Sequence, residues 1–125
     1  MIVAVVDDLL FSSKIRGAAQ HGGQTIHFVR NSESLIGELR EKQPSLVIFD
    51  LDRASLSPIA AIANVKAQPD LAHIPLVGFV SHVHADVIEA ARRAGIDQVM
   101  ARSAFVVQLP QLLKNAGGPP MADPK

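Results

Sequence analysis

Five short apolar runs, alternating with stretches of helical periodicity, predict an α/β fold in which a parallel sheet is covered by helices on both faces. Three observations carry the prediction. Residues 2–6 and 46–49 have the length and β-branched content of strands buried on both sides. Acids stand at their carboxyl ends, Asp7 and Asp8 after the first and Asp50 after the second. Gly and Pro recur where the pattern changes period, which marks the turns between elements.

The strands are expected at residues 2–6, 25–29, 46–49, 75–80 and 98–101. Between them Phe11, Ile15 and Ala18 recur at helical spacing, then Leu35, Ile36 and Leu39, then Ile59, Ile62 and Ala63, then Val87, Ala91 and Ala94. Asp8 and Ser32 read as N-caps, and Ser57 followed by Pro58 reads as an N-cap with a first-turn proline. Gly22, Gly23 and Gly95 fall where helices should stop. Pro110 interrupts the last apolar stretch, so a kink or a short helix beginning near it is expected. One domain should span residues 1–115, with 116–125 a disordered Gly/Pro-rich tail.

Right-handed crossovers and the switch-point rule favour the flavodoxin-like strand order 2-1-3-4-5. In that order the first and third strands are neighbours. Asp7, Asp8 and Asp50 then meet at the carboxyl edge of the sheet, where open α/β folds place their ligands. Three carboxylates in one small volume need protons or a divalent cation to neutralise them.

Composition removes several function classes. The 125 residues carry 12 basic and 12 acidic side chains, so no basic footprint for nucleic acid or for an anionic membrane surface stands out. Five Phe without Trp or Tyr argue against an aromatic platform for single strands. With no cysteine, disulfides, zinc–thiolate sites and thiol catalysis are excluded. The 48% hydrophobic content suits a well-buried sheet. No basic stretch precedes the first apolar run, and Asp7 ends that run far short of a bilayer span, so a cytoplasmic location is expected.

Across residues 1–115 the chain resembles a response-regulator receiver domain. The carriers are Val5-Val6-Asp7-Asp8, Pro44-Ser45-Leu46-Val47-Ile48-Phe49-Asp50, Ile74-Pro75-Leu76-Val77 and Ala94-Gly95-Ile96-Asp97. The resemblance implies Mg²⁺ held by Asp7, Asp8 and Asp50 with the backbone carbonyl of Asp52, and Asp50 as acceptor of a phosphoryl group from a histidine kinase. Such a transfer needs positive charge against the phosphoryl oxygens, and magnesium suits a few hard oxygen ligands.

The chain departs from that pattern along one functional axis. The position of the family's phosphate-binding hydroxyl is Val80, with Ser81 after it. The aromatic switch position is Val99, the lysine is Arg102, and the proline that follows is Ser103. A lost hydrogen bond to a charged group is worth roughly 1.5–3 kcal/mol. That is comparable with the ~5.5 kcal/mol that a full two-state swing requires. A weakened switch follows, in an atypical receiver acting through protein contact, or a phosphorylation-independent pseudo-receiver.

Other readings compete locally. Residues 47–52 look like the first motif of haloacid-dehalogenase-type phosphatases, with Asp50 as nucleophile and Asp52 as acid/base, but Arg53 and Ala54 replace its glycine and threonine. His82 and His84 form an H-x-H, read as solvated loop residues. Arg92 and Arg93 near Arg102 read as a solvated helix face. Val99, Phe105, Val106 and Val107 would make an apolar face for a partner protein or a homodimer.

Overall fold

Strands β1 (Ile2–Val5), β2 (Ile26–Val29), β3 (Leu46–Asp50), β4 (Leu76–Val80) and β5 (Gln98–Ala101) form one parallel sheet in the order β2-β1-β3-β4-β5. This is the order the sequence predicts. The architecture comes from a computed structural model that describes residues 1–81 and 85–117. Helices α1 (Leu9–His21), α2 (Leu35–Lys42), α3 (Pro58–Lys66), α4 (Ala85–Ala94) and α5 (Arg102–Gly117) complete the alternation. Among the described residues no helix is long and apolar enough to cross a membrane.

The two-residue strand period splits the core into two layers. Val3, Val5, Val47 and Phe49 face one side with Leu35, Leu39, Ile62 and Val65 of α2 and α3. Ile2, Ala4, Ile48 and Phe79 face the other with Phe11, Ile15, Phe105 and Leu109 of α1 and α5. Every residue of β1, β3 and β4 is buried, as near-continuous apolar runs in a covered parallel sheet should be.

Most boundary signals act as read. Asp8 caps α1 by accepting the Phe11 N–H at 3.1 Å. Pro58 opens α3. Gly95 follows α4 at φ +106°, in the left-handed region where a side chain is strained.

Three local expectations need correction. Ser32 is not an N-cap: Asn31 accepts the Glu33 N–H at 2.8 Å and caps a 3₁₀ turn over Ser32–Ser34, because its amide oxygen reaches two residues ahead. Ser57 occupies the cap position of α3 without capping, since its left-handed backbone (φ 46°) makes no side-chain cap bond. Of the two outcomes expected at Pro110, a short helix beginning near it is overturned: Pro110 lies inside α5, which starts directly at Arg102, with Phe105, Leu109 and Leu113 buried against the sheet. That helix takes in residues 116 and 117, while 118–125 of the expected tail lie outside the described residues. His82 and His84 also lie outside them.

Candidate functional site

β3 is the central strand, flanked by β1 and β4, and Asp50 is its last residue. The register pairs Val5 with Phe49 and Asp50 with Phe79, so Asp50 leaves the sheet between the β1–α1 and β4–α4 connections. Leu51 N–H bonds Phe79 O at 3.0 Å and extends the ladder by one residue. The chain then turns. Asp50 Oδ1 accepts the N–H of Asp52 at 2.9 Å, a side-chain-to-backbone turn that fixes one carboxylate oxygen.

Asp50 is 2% exposed. Burial raises its pKa above the ordinary value, and the nearby Asp52 charge raises it further. The Asp52 N–H, Arg102 and Arg53 act in the opposite direction. Desolvation wins, as expected for a carboxylate at the centre of a covered sheet.

The other two acids carry guanidinium partners. Asp7 Oδ1 lies 2.8 Å from Arg53 Nε. That oxygen is buried, and the close Arg53 guanidinium is its charge partner. Asp8 Oδ2 accepts from Arg102 Nη2 at 3.3 Å while its Oδ1 caps α1. The Phe11 N–H foremost, and Arg102 with it, hold the Asp8 carboxyl below the ordinary range against the opposing effect of burial. Arg102 also lies over the Phe11 ring at 4.2 Å and near Phe79 at 5.6 Å. Phe79 stacks on Phe105, and Phe11 is tilted against both, in a buried aromatic cluster.

Adjacency of β1 and β3 therefore produces an acidic edge, but one laced with arginines. Arg53 is held charged by its pairing with Asp7 first, and by the charges of Asp50 and Asp8 behind it. Among the described residues no three carboxylates or imidazoles are grouped closely enough to hold a metal ion. The donor types alone suit a hard divalent cation, since Asp7, Asp8, Asp50 and the Asp52 carbonyl offer only oxygen.

The remaining positions divide. Val80 is 2% exposed and packs in the α2–α3–α4 layer, so its side chain is core. Ser81 contributes its backbone: its N–H donates to Asp52 Oδ2 at 2.8 Å and ties the end of β4 to the loop after β3. Val99 is half-buried against the same layer. The Arg102–Ser103 bond is trans and the chain passes straight into α5. Phe105 is corrected from partner face to core: it is fully buried, because its position on α5 points it into the aromatic cluster. Val107 is the exposed member of that set, at 80%, and Val106 is half-buried.

Sequence reasoning missed Arg53 as a site residue. It entered only as a departure from a phosphatase motif, although its place three residues after Asp50 puts it on the loop that rims the pocket.

No family model and no curated protein matches the chain. Solved structures do. The phosphorylated cyanobacterial phytochrome response regulator RcpA is 24% identical, with 91% of this chain and 88% of that one covered at a TM-score of 0.75. A putative response regulator from Chloroflexus aurantiacus is 16% identical, with 92% and 94% covered at a TM-score of 0.80. The receiver domain of the sensor histidine kinase PA1611 from Pseudomonas aeruginosa, with magnesium in its active-site cleft, is 16% identical, with 94% and 97% covered at 0.79. The chain has the fold of response-regulator receiver domains.

Proposed function

We propose that this chain is an atypical receiver domain in phosphorelay signalling, not an enzyme, with Asp50 as its phosphoacceptor. One observation carries the reading: Asp50 is a buried carboxylate ending the central strand, with one oxygen fixed by the Asp52 N–H and the charges of Arg102 and Arg53 acting on it. Asp50 Oδ2 attacks phosphorus in line, the bond from phosphorus to the donor breaks, and its electron pair leaves with the donor. Arg53 and Arg102 offset charge on the phosphoryl oxygens. A divalent cation, when held by Asp7, Asp8, Asp50 and the Asp52 carbonyl, supplies further positive charge there.

The partner on this reading is a histidine kinase or another cytoplasmic signalling protein. A homodimer through the exposed side of α5 at Val107 is the other contact of this kind. The switch is weak, because Val80 is committed to the core and Arg102 is held by Asp8 and Phe11. Those two observations also favour a second reading, a phosphorylation-independent pseudo-receiver. The phosphatase reading loses ground because Asp52, its acid/base, spends Oδ2 on the Ser81 N–H.

Incubating the chain with magnesium and a small phosphodonor tests the proposal. An adduct of about 80 Da on the wild type, absent from Asp50→Asn, supports it. No adduct at saturating donor selects the pseudo-receiver.

A further inference from the structure

We propose that Arg53 and Arg102 take the place of a divalent cation in this pocket, and that Asp50 accepts its phosphoryl group without a metal. The inference rests on the receiver reading and deepens it.

The acids at this edge of the sheet already have protein partners. Asp7 Oδ1 lies 2.8 Å from Arg53 Nε. Asp8 is engaged through both oxygens, Oδ1 by the Phe11 N–H at 3.1 Å and Oδ2 by Arg102 Nη2 at 3.3 Å. Asp50 Oδ1 accepts the Asp52 N–H, and Asp52 Oδ2 accepts the Ser81 N–H. Among the described residues no three acids are grouped around one point, so a metal ion would have to break these contacts to gather its ligands. Charge balances instead through the arginines. Two guanidinium groups carry the same charge as one divalent cation, and here they match the carboxylates of Asp7 and Asp8. The cation that the donor types allow is therefore dispensable.

Both arginines stand where the transfer needs them. Asp50 and Phe79 are register partners on β3 and β4, so their side chains share the sheet face on which Arg102 lies over Phe11 and Phe79. Arg53 follows Asp50 by three residues, on the loop after β3. The charges of both act on Asp50. Each also has donors to offer, since a guanidinium carries five N–H groups. Nη1 and Nη2 of Arg53 and Nη1 of Arg102 make no hydrogen bond among the described residues, and Arg102 Nε is a buried donor without an acceptor. In the transfer an Asp50 oxygen bonds to phosphorus while the bond from phosphorus to the donor breaks, and the donor leaves with that electron pair. The other phosphoryl oxygens then meet N–H groups whose forked geometry suits phosphate as it suits carboxylate.

Two measurements on the full chain test this. The first needs no phosphoryl transfer: calorimetric titration with Mg²⁺ and with Mn²⁺ should give a Kd weaker than about 1 mM. A submillimolar Kd that Asp7→Asn abolishes would overturn the proposal. The second follows the adduct on Asp50 by mass spectrometry, with acetyl phosphate as donor, in Mg²⁺ and in excess EDTA. The two rates should agree within about twofold, and a rate roughly tenfold or more lower in EDTA would overturn the proposal. Arg53→Gln removes the charge from a half-exposed side chain and should slow the reaction in EDTA about tenfold or more, the loss expected for a hydrogen bond to a charged group. Arg53→Lys should recover part of that rate. A wild-type rate in Arg53→Gln, with folding verified by circular dichroism, would also overturn the proposal. Adduct in Mg²⁺ but not in EDTA would sink this inference and leave the phosphoacceptor reading intact, whereas no adduct in either buffer would sink both.

Discussion

Arg102 places its guanidinium carbon 4.2 Å from the centre of the Phe11 ring while its Nη2 reaches Asp8 Oδ2 at 3.3 Å. One side chain thus joins the start of α5 to the cap and first turn of α1, on the aromatic floor of Phe11, Phe79 and Phe105. Lysine can keep the charge but not the planar stack with a forked contact. Arg102→Lys should therefore lower stability by about 1 kcal/mol, and Arg102→Ala by more. For a domain of this size that is ~4 °C in Tm. Thermal unfolding followed by far-ultraviolet circular dichroism is the suitable measurement, because the chain has no Trp or Tyr. A lysine variant as stable as wild type would show that stacking contributes nothing.

Asp8 gives a prediction with a pH signature. Its carboxylate is stabilised by the Phe11 N–H and by Arg102, so its native pKa lies below the ordinary 3.8. A carboxyl group with a depressed native pKa contributes stability above its unfolded pKa and loses it as pH falls through the native one. Asp8→Ala should cost about 1 kcal/mol at neutral pH, the usual loss for an N-cap. Asp8→Asn should cost less, because an amide oxygen still caps the helix. Urea unfolding at several pH values should show the gap between wild type and Asp8→Asn present above pH 3.8 and closing below it.

Asp50 should behave in the opposite sense. Burial raises its pKa, so its charged form is less favourable in the native protein than in the unfolded chain. That cost is absent below the ordinary 3.8, grows as pH rises, and is complete above the raised native value. Asp50→Asn keeps the shape and the bond from Asp52 N–H while removing the charge. It should stabilise the fold at neutral pH by about 1 kcal/mol, with the gain vanishing in acid. A destabilised Asp50→Asn at pH 7 would mean that Arg53 and Arg102 outweigh desolvation.

The sheet was legible because each strand is an uninterrupted apolar run, and a parallel sheet buried on both faces needs nothing subtler. Asp50 was legible for the same reason: an acid directly after such a run has one place to go. Helix faces were read less evenly: on α3 the buried residues are Pro58, Ala61, Ile62 and Val65, and Ala63, placed on the inward stripe, is exposed. On α1 the stripe ends on Ala19, with Ala18 half-buried, because the helix period is not an integer. What one-dimensional spacing could not show were pairings across the fold. Arg53 with Asp7 spans separate loops, and the seat of Arg102 needs Phe11, Phe79 and Phe105 from three elements. Phe105 looked like surface because apolar neighbours on both sides hid which one pointed inward.

Gly78 on β4 supports the site from beneath. A Cβ there would lie 2.8 Å from Leu51 Cδ1, 2.9 Å from Leu51 Cγ and 2.9 Å from Ile96 Cδ1, closer than atoms tolerate. Leu51 follows Asp50 directly and is bonded through its N–H to Phe79 O, so it has little backbone freedom to retreat. Gly78→Ala should therefore cost about 1–3 kcal/mol in urea unfolding, as overpacking of a close-packed core does. The strain has an identifiable partner. Leu51→Ala alone leaves a cavity and costs roughly 2–5 kcal/mol. In the double variant the new methyl group fills part of the space that Leu51 vacates, so the combined loss should fall short of the sum by at least ~0.5 kcal/mol. Simple additivity would show that Gly78 is accommodated elsewhere, and that the close approach of β4 to Leu51 does not hold the loop bearing Asp52 and Arg53.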